Sequence, residues 1–280
     1  LSLHDALPIS PVKTKNFTWN STFTWAKNYN KVLSLAAGLT DGQTIAYTGG
    51  TNCALIAKVG GSIGDIYGYK LKRAPDGQVV WKDGITARTT EFEYVGNAYP
   101  AWKAGFSNEF SYKNFRVSIL FDGQWGGIVY SQTHHKMTEH GTLKHTLKYR
   151  ENPNFEVVGE GMMLDERGQY VPNNVPISVS KYYADYWRRA NVETNSFDAS
   201  FLKLREARIE YTIPSAGLNK IGIERLTLAL YGRNLAMWTK DFPVYDPEVA
   251  TLNNGTIVPG SEMGQLPSTR TMGFNLTLKF

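Results

Sequence analysis

The amino-acid sequence predicts an all-β chain of antiparallel, two-faced strands, and three observations carry that prediction. Period-two alternation recurs along the chain. It is cleanest from Arg270 to Phe280, where Met272, Phe274, Leu276, Leu278 and Phe280 share one phase and Thr271, Gly273, Asn275, Thr277 and Lys279 the other. Aromatic residues make up 13% of the 280 residues and glycine contributes 26, a composition that suits many strands joined by turns. No stretch approaches the run of about 18 apolar residues that a membrane-crossing helix needs. A mean hydropathy of −0.33 leaves a membrane barrel open, because barrel strands are half polar.

The last strand sets the scale. At about 3.3 Å per residue and a tilt of about 45°, ten residues stand roughly 23 Å tall, close to the ~25 Å apolar band of a transmembrane barrel. A soluble β-sandwich also ends on such a strand, so this stretch alone fits both architectures.

Earlier elements follow in order. Asn16 to Trp25 alternates, with Phe17, Trp19, Phe23 and Trp25 in one phase and Ser21 its weak position. Lys27 to Lys31 reads as a turn, and Val32 to Leu39 as the second arm of a hairpin. Asp41 to Ile66 carries little periodicity, Tyr67 to Arg73 reads as a strand, and Pro75-Asp-Gly predicts a turn before Val79 to Trp81. Trp102 to Tyr112 and Phe115 to Trp125 form the most regular hairpin, turning near Asn114. From Gly126 to Val192 the rhythm breaks. Short helices are expected within Met137–Arg150 and Lys181–Arg189, with an irregular hairpin over Phe155–Tyr170. Phe201 to Ile213 resumes as a strand whose apolar phase switches near Arg205 or Glu206, which requires a β-bulge or a change of environment. Glu224 to Asn234 alternates again, and Trp238 to Gln265 is a second long loop.

Charge and chemistry narrow the function. The net charge of +5 is spread along the chain, so no nucleic-acid partner is expected. The lone Cys53 has no second cysteine to pair with and reads as a small buried apolar group. His134, His135, His140 and His145 cluster, but their spacing matches no ligand pattern, so a solvated loop is expected and no metal or cofactor. Glu160, Asp165 and Glu166 lie in a polar turn and show no catalytic pairing. Gly126-Gly reads as a bend, not a phosphate cradle, and no enzyme motif is present. Tyr182, Tyr183, Tyr186 and Trp187 could stack on a ligand from a loop, or pack their helix onto the rim.

The last third resembles the SusC/RagA family of TonB-dependent outer-membrane transporters of Bacteroidetes. The resemblance runs through Ala199-Ser-Phe-Leu-Lys-Leu-Arg-Glu, Tyr211-Thr-Ile-Pro, Leu230-Tyr-Gly-Arg-Asn-Leu, Tyr245-Asp-Pro-Glu-Val and Pro267 to Phe280. Upstream, Ile66-Tyr-Gly-Tyr, Gly96-Asn-Ala-Tyr-Pro, Phe115-Arg-Val-Ser-Ile and Gly126-Gly-Ile-Val-Tyr extend it to about Asn16. It implies a plugged barrel of about 22 strands that imports glycans or peptides. Its partners would be a SusD-like lipoprotein, the TonB complex, the barrel assembly machinery and outer-membrane lipid.

The expected fold is therefore an antiparallel transmembrane β-barrel. Residues 11–280 would form its incomplete C-terminal portion, roughly eight to ten strands by the usual strand length, with long extracellular loops. Residues 1–10, LSLHDALPIS, resemble a translated sequencing-adapter read-through and are expected to be non-native. Lys103, Glu109, Arg116, Asp122 and Arg233 are expected to face the lumen. Phe280, with Phe274, Leu276 and Leu278, would be the assembly signal. The alternative is a secreted or surface β-sandwich that binds carbohydrate.

Overall fold

The computed structural model describes residues 3–47, 51–214, 218–244, 246–248, 251–253 and 256–280. Seven long strands form one sheet: β1 (Leu3–Lys13), β2 (Phe17–Lys27), β3 (Trp102–Tyr112), β4 (Phe115–Trp125), β5 (Phe201–Ile213), β6 (Arg225–Thr239) and β7 (Thr271–Lys279). They pair in strict chain order, each antiparallel to the next. Among the described residues β1 and β7 each have one neighbour, so the sheet stays open and no barrel closes.

Alternation divides the sheet into two faces. In register across it lie Trp19, Phe110, Val117, Ile209, Leu230 and Phe274. This apolar face is exposed: Leu230 is 62%, Phe274 78% and Met272 72% accessible. Within it two polar residues sit side by side, Ser21 opposite Asn108, and the Trp19 indole N–H donates to Asn108 Oδ1 at 3.0 Å. A polar pair inside an apolar surface is thereby satisfied locally. The expected switch of phase is a bulge at Arg205, which is skipped in pairing with both β4 and β6. The extra residue keeps Leu202 and Leu204 on the same face as Ala207 and Ile209.

Connections segregate by length. At one end the strands join through residues 14–16, 113–114 and 214–224; at the other through 28–101, 126–200 and 240–270. The three long connections interlock. Val80–Lys82 of the first pairs with Met162–Leu164 of the second, and Ile128–Ser131 of the second with Ser261–Glu262 of the third. Most of the buried apolar residues, among them Trp81, Tyr130, Ile66 and Val192, belong to this loop layer, while Phe201 and Ala229 lie in the sheet.

Several expectations change. The sheet holds seven long strands rather than eight to ten, because the remaining segments pair within the loop layer. Val32 to Leu39 forms no strand. Val32 instead exchanges backbone hydrogen bonds with Gly60 and Gly61, and Leu33 and Leu39 are exposed. The partners of β2 are β1 and β3. Residues from Leu3 onward thus form an edge strand, through a backbone ladder that any extended segment can make.

The helices are α1 (Gln132–Glu139) and α2 (Val179–Tyr186), capped by the Ser131 and Ser178 hydroxyls. Gly126 and Gly127 make the expected bend, both at positive φ, and a Cβ on Gly127 would meet the backbone of residues 98–100.

The histidine cluster is solvated only in part: His140 is exposed and His145 half-buried. His134 and His135 are buried, with Nδ1 atoms 2.9 Å from Asn195 Oδ1 and 2.8 Å from the Trp187 carbonyl, and His145 stacks on His134. Burial pushes His134 down to about 4, with burial also lowering His135 and His145. A ring buried neutral stabilises the fold above its unfolded pKa, and that stability is lost as pH falls from about 6.5 through about 4. The loop layer is expected to loosen over that window by up to about 3 kcal/mol from His134. Tryptophan fluorescence against pH checks this in detergent micelles. An unchanged acid transition in His134→Gln would remove the histidine as its cause.

Candidate functional site on the polar face of the sheet

Opposite the apolar face, the same alternation sets a row of charges. Arg116 of β4 lies between Glu109 of β3 at 3.8 Å and Glu210 of β5 at 4.0 Å. Arg208 also contacts Glu210. The bulge places Arg205 and Glu206 consecutively on this face, and each finds a different neighbour. Arg205 donates to Asp122 of β4 at 2.5 and 3.0 Å, and Arg233 of β6 donates to Glu206 at 2.9 Å.

Near the bulge the third long connection reaches back to the sheet. Lys203 is 2% accessible and donates to both oxygens of Asp246 at 2.8 Å and to Glu248 at 2.6 Å. Arg205 Nη2 meets both Glu248 oxygens at 2.7 Å. Burial alone would raise the Asp246 and Glu248 carboxyls. Hydrogen bonds from Lys203 and, for Glu248, Arg205 outweigh it and hold both below the usual carboxylate range. Two cations and three carboxylates thus join β4, β5 and the connection into one network.

The residues singled out from the sequence separate into three groups. Lys103, Glu109, Arg116, Asp122 and Arg233 all lie in the polar phase of the sheet. Four of them are ion-paired, and Lys103 has no ion pair among the described residues. Phe274, Leu276 and Leu278 lie on the apolar face of β7, with Phe280 exposed beyond its end.

Tyr182, Tyr183, Tyr186 and Trp187 lie on or just after α2 and pack within the loop layer. Tyr182 and Tyr186 stack on the buried Trp81, and Tyr183 donates its hydroxyl to the carbonyls of His145 and Lys148. Among the described residues no three His, Cys, Asp or Glu side chains group as metal ligands. Sequence reasoning missed Lys203, Arg205, Glu206, Asp246 and Glu248. The phase switch pointed at Arg205 and Glu206, but nothing periodic marks Lys203, Asp246 or Glu248. Tyr245 and Val249 of the Tyr245-Asp-Pro-Glu-Val motif lie outside the described residues.

Comparison with known proteins agrees with this two-faced sheet. The chain is 28% identical over 305 residues to TonB-dependent receptor P26 of Formosa agariphila and 24% identical over 299 residues to TonB-dependent receptor P3 of the same organism. These matches cover 98% and 96% of the chain but only 28% and 27% of the relatives, so the chain spans under a third of their length. No family model matches. Its fold is that of part of the RagAB peptide transporter, with a TM-score of 0.62 at 18% identity, covering 98% of this chain and 28% of that one. The RagAB peptide importer in its open-open state matches with a TM-score of 0.65 at 19% identity, covering 98% and 28%. Nearly the whole chain is thus similar to a segment of TonB-dependent receptors. Its fold is that of a part of a SusC/RagA-type transporter, in line with the resemblance of its motifs.

Breaking the buried network should release the connection from the sheet. Lys203→Met leaves Asp246 buried without its cation, and removing one partner of a buried pair costs about 3–5 kcal/mol. Amide exchange at Asp246 and Glu248 is expected to speed up accordingly. Adding Asp246→Asn should recover part of the loss, and an unaltered exchange rate in Lys203→Met would mean the pair does not hold the connection.

Proposed function

We propose that this chain is the C-terminal barrel wall of an outer-membrane, TonB-dependent transporter of larger size, importing oligosaccharides or peptides with a SusD-like surface lipoprotein. The observation that carries this is the apolar face of β2–β7, which no other layer among the described residues covers. Water does not tolerate such a face, whereas lipid does. Aromatic residues edge it at both ends. Trp102 stacks on Trp125 with ring centres 6.4 Å apart beside the long connections, and Phe115 packs on Tyr211 beside the short turns. The ten steps from Trp102 to Tyr112 stand roughly 23 Å tall at the usual tilt, matching the girdle spacing of a transmembrane barrel.

In this reading the long connections lie outside the cell and the short turns in the periplasm. Lys103, Glu109, Arg116, Asp122 and Arg233 face the lumen or the plug. TonB acts through parts of the protein beyond this chain. Phe280, with Phe274, Leu276 and Leu278, is read by the barrel assembly machinery. Tyr182, Tyr183, Tyr186 and Trp187 brace the loop layer over the entrance. The chain's work is passage and not catalysis, and residues 1–10 are non-native. A carbohydrate-binding sandwich fits less well, because its apolar face would be buried between two sheets.

Lysine at Leu228 or Leu276 should cost about 2–4 kcal/mol per site when the full-length protein refolds into lipid vesicles. Tolerance of both would overturn lipid contact. Charge reversal at Arg233 or Glu109 should instead leave insertion intact and alter uptake selectivity; variants that fail to assemble would place those residues elsewhere than the lumen.

A further inference from the structure

We infer that Glu248 occupies a carboxylate-binding site on the polar wall, standing in for the carboxylate of an incoming substrate. This rests on the transporter reading above and names the chemical class of one thing the wall would hold. Lys203 already meets both oxygens of Asp246, and Arg205 already meets both oxygens of Asp122. Glu248 is thus a third carboxylate on two cations that each have a fixed partner.

It differs from those partners in exposure. Its side chain is 42% accessible, against 3% for Asp246. It borders a groove of about 330 Å³ on the polar face, which Lys103, Gln124, Thr24, Gly105 and Phe201 also line. Lys103 enters that groove with no ion pair among the described residues.

Charge balance follows from these contacts. With Glu248 in place, Lys203, Arg205 and Lys103 face three carboxylates. With Glu248 withdrawn they face two, and the groove gains one positive charge beside a planar guanidinium suited to bidentate carboxylate binding. Asp246 and Asp122 keep both inner cations satisfied, so Glu248 leaves no buried charge unpaired. A substrate carboxylate then replaces Glu248 on Arg205 and takes Lys103 as its second contact. A neutral ligand gains nothing from the exchange.

The test uses the full-length transporter that carries this segment, purified in detergent. Probes are a dansyl-labelled tripeptide with a free C-terminal carboxylate, its C-terminal amide, and a dansyl-labelled trigalacturonate beside its methyl ester. Glu248→Gln removes the resident competitor and should tighten carboxylate probes by roughly threefold to tenfold, the size of one partly exposed ion pair. Lys103→Gln should weaken them by a similar factor, and the amide and ester should be unaffected by either change. A response from the tripeptide alone or from the trigalacturonate alone identifies the source of the carboxylate.

Equal effects on charged and neutral probes, an unchanged ratio in Glu248→Gln, or no probe binding would each overturn the inference. Failure of the transporter reading is distinguishable, because it would show as absence of the protein from the outer membrane.

Discussion

An apolar sheet face that no other layer of the described residues covers is the constraint on which the rest of this structure depends. The backbone of β1–β7 is satisfied by its own ladder, so the sheet needs no further hydrogen-bonding partner except at its edges. Its side chains are another matter. Each exposed Leu or Phe forgoes stabilisation of about 25 cal/mol per Å² of apolar surface left in water. Local departures from regularity respect this demand. The bulge at Arg205 returns Ala207 and Ile209 to the face already occupied by Leu202 and Leu204. Ser21 and Asn108 fall on the apolar face only as neighbours, beside an indole N–H.

The polar face solves a complementary problem. Charges projecting from adjacent strands repel or attract at close range, and here the register places opposite signs together: Arg116 with Glu109 and Glu210, Arg233 with Glu206, Arg205 with Asp122. The same bulge that preserves the apolar face also makes this possible. Two consecutive residues, Arg205 and Glu206, reach the polar side and pair in opposite directions across the sheet. One backbone irregularity therefore serves both faces.

The strands that alternate without interruption are legible in the amino-acid sequence. Trp102–Tyr112, Phe115–Trp125 and Thr271–Lys279 lie where the alternation puts them, and so does the bulge. Residues 32–39 depart from their pattern because alternation alone says nothing of whether a ladder partner is available, and Val32 is held by Gly60 and Gly61 instead. Short strands such as Ser261–Glu262 leave no sequence signal, because two residues carry no period and their partner, Ile128–Ser131, is remote along the chain. The polar-wall charges follow from phase, whereas Asp246 and Glu248 reach the same site from a loop, where phase has no meaning. The burial of His134 and His135 escapes the sequence for a similar reason. It comes from α1 packing near α2 and Asn195, contacts that span many residues.

The third long connection links the two halves of the molecule through tethers of different kinds. At residues 246–248 it is held by ions against the sheet, with Lys203 and Arg205 as donors. At residues 261–264 it is held within the loop layer. There the buried Glu262 carboxylate accepts from the Ser131 hydroxyl at 2.6 Å, the Thr133 hydroxyl at 2.5 Å and the Gly264 N–H at 2.7 Å. The Glu262 carboxylate of the second tether is fully buried, and the donors named here are hydroxyls and an amide. The first is partly open through Glu248 and is built of charges that another anion could match. Loosening the ionic tether therefore leaves the loop layer assembled, because Glu262 still fixes the connection to Ile128–Ser131. The two tethers can respond to different influences because one is partly wet through Glu248 while the carboxylate of the other is fully buried.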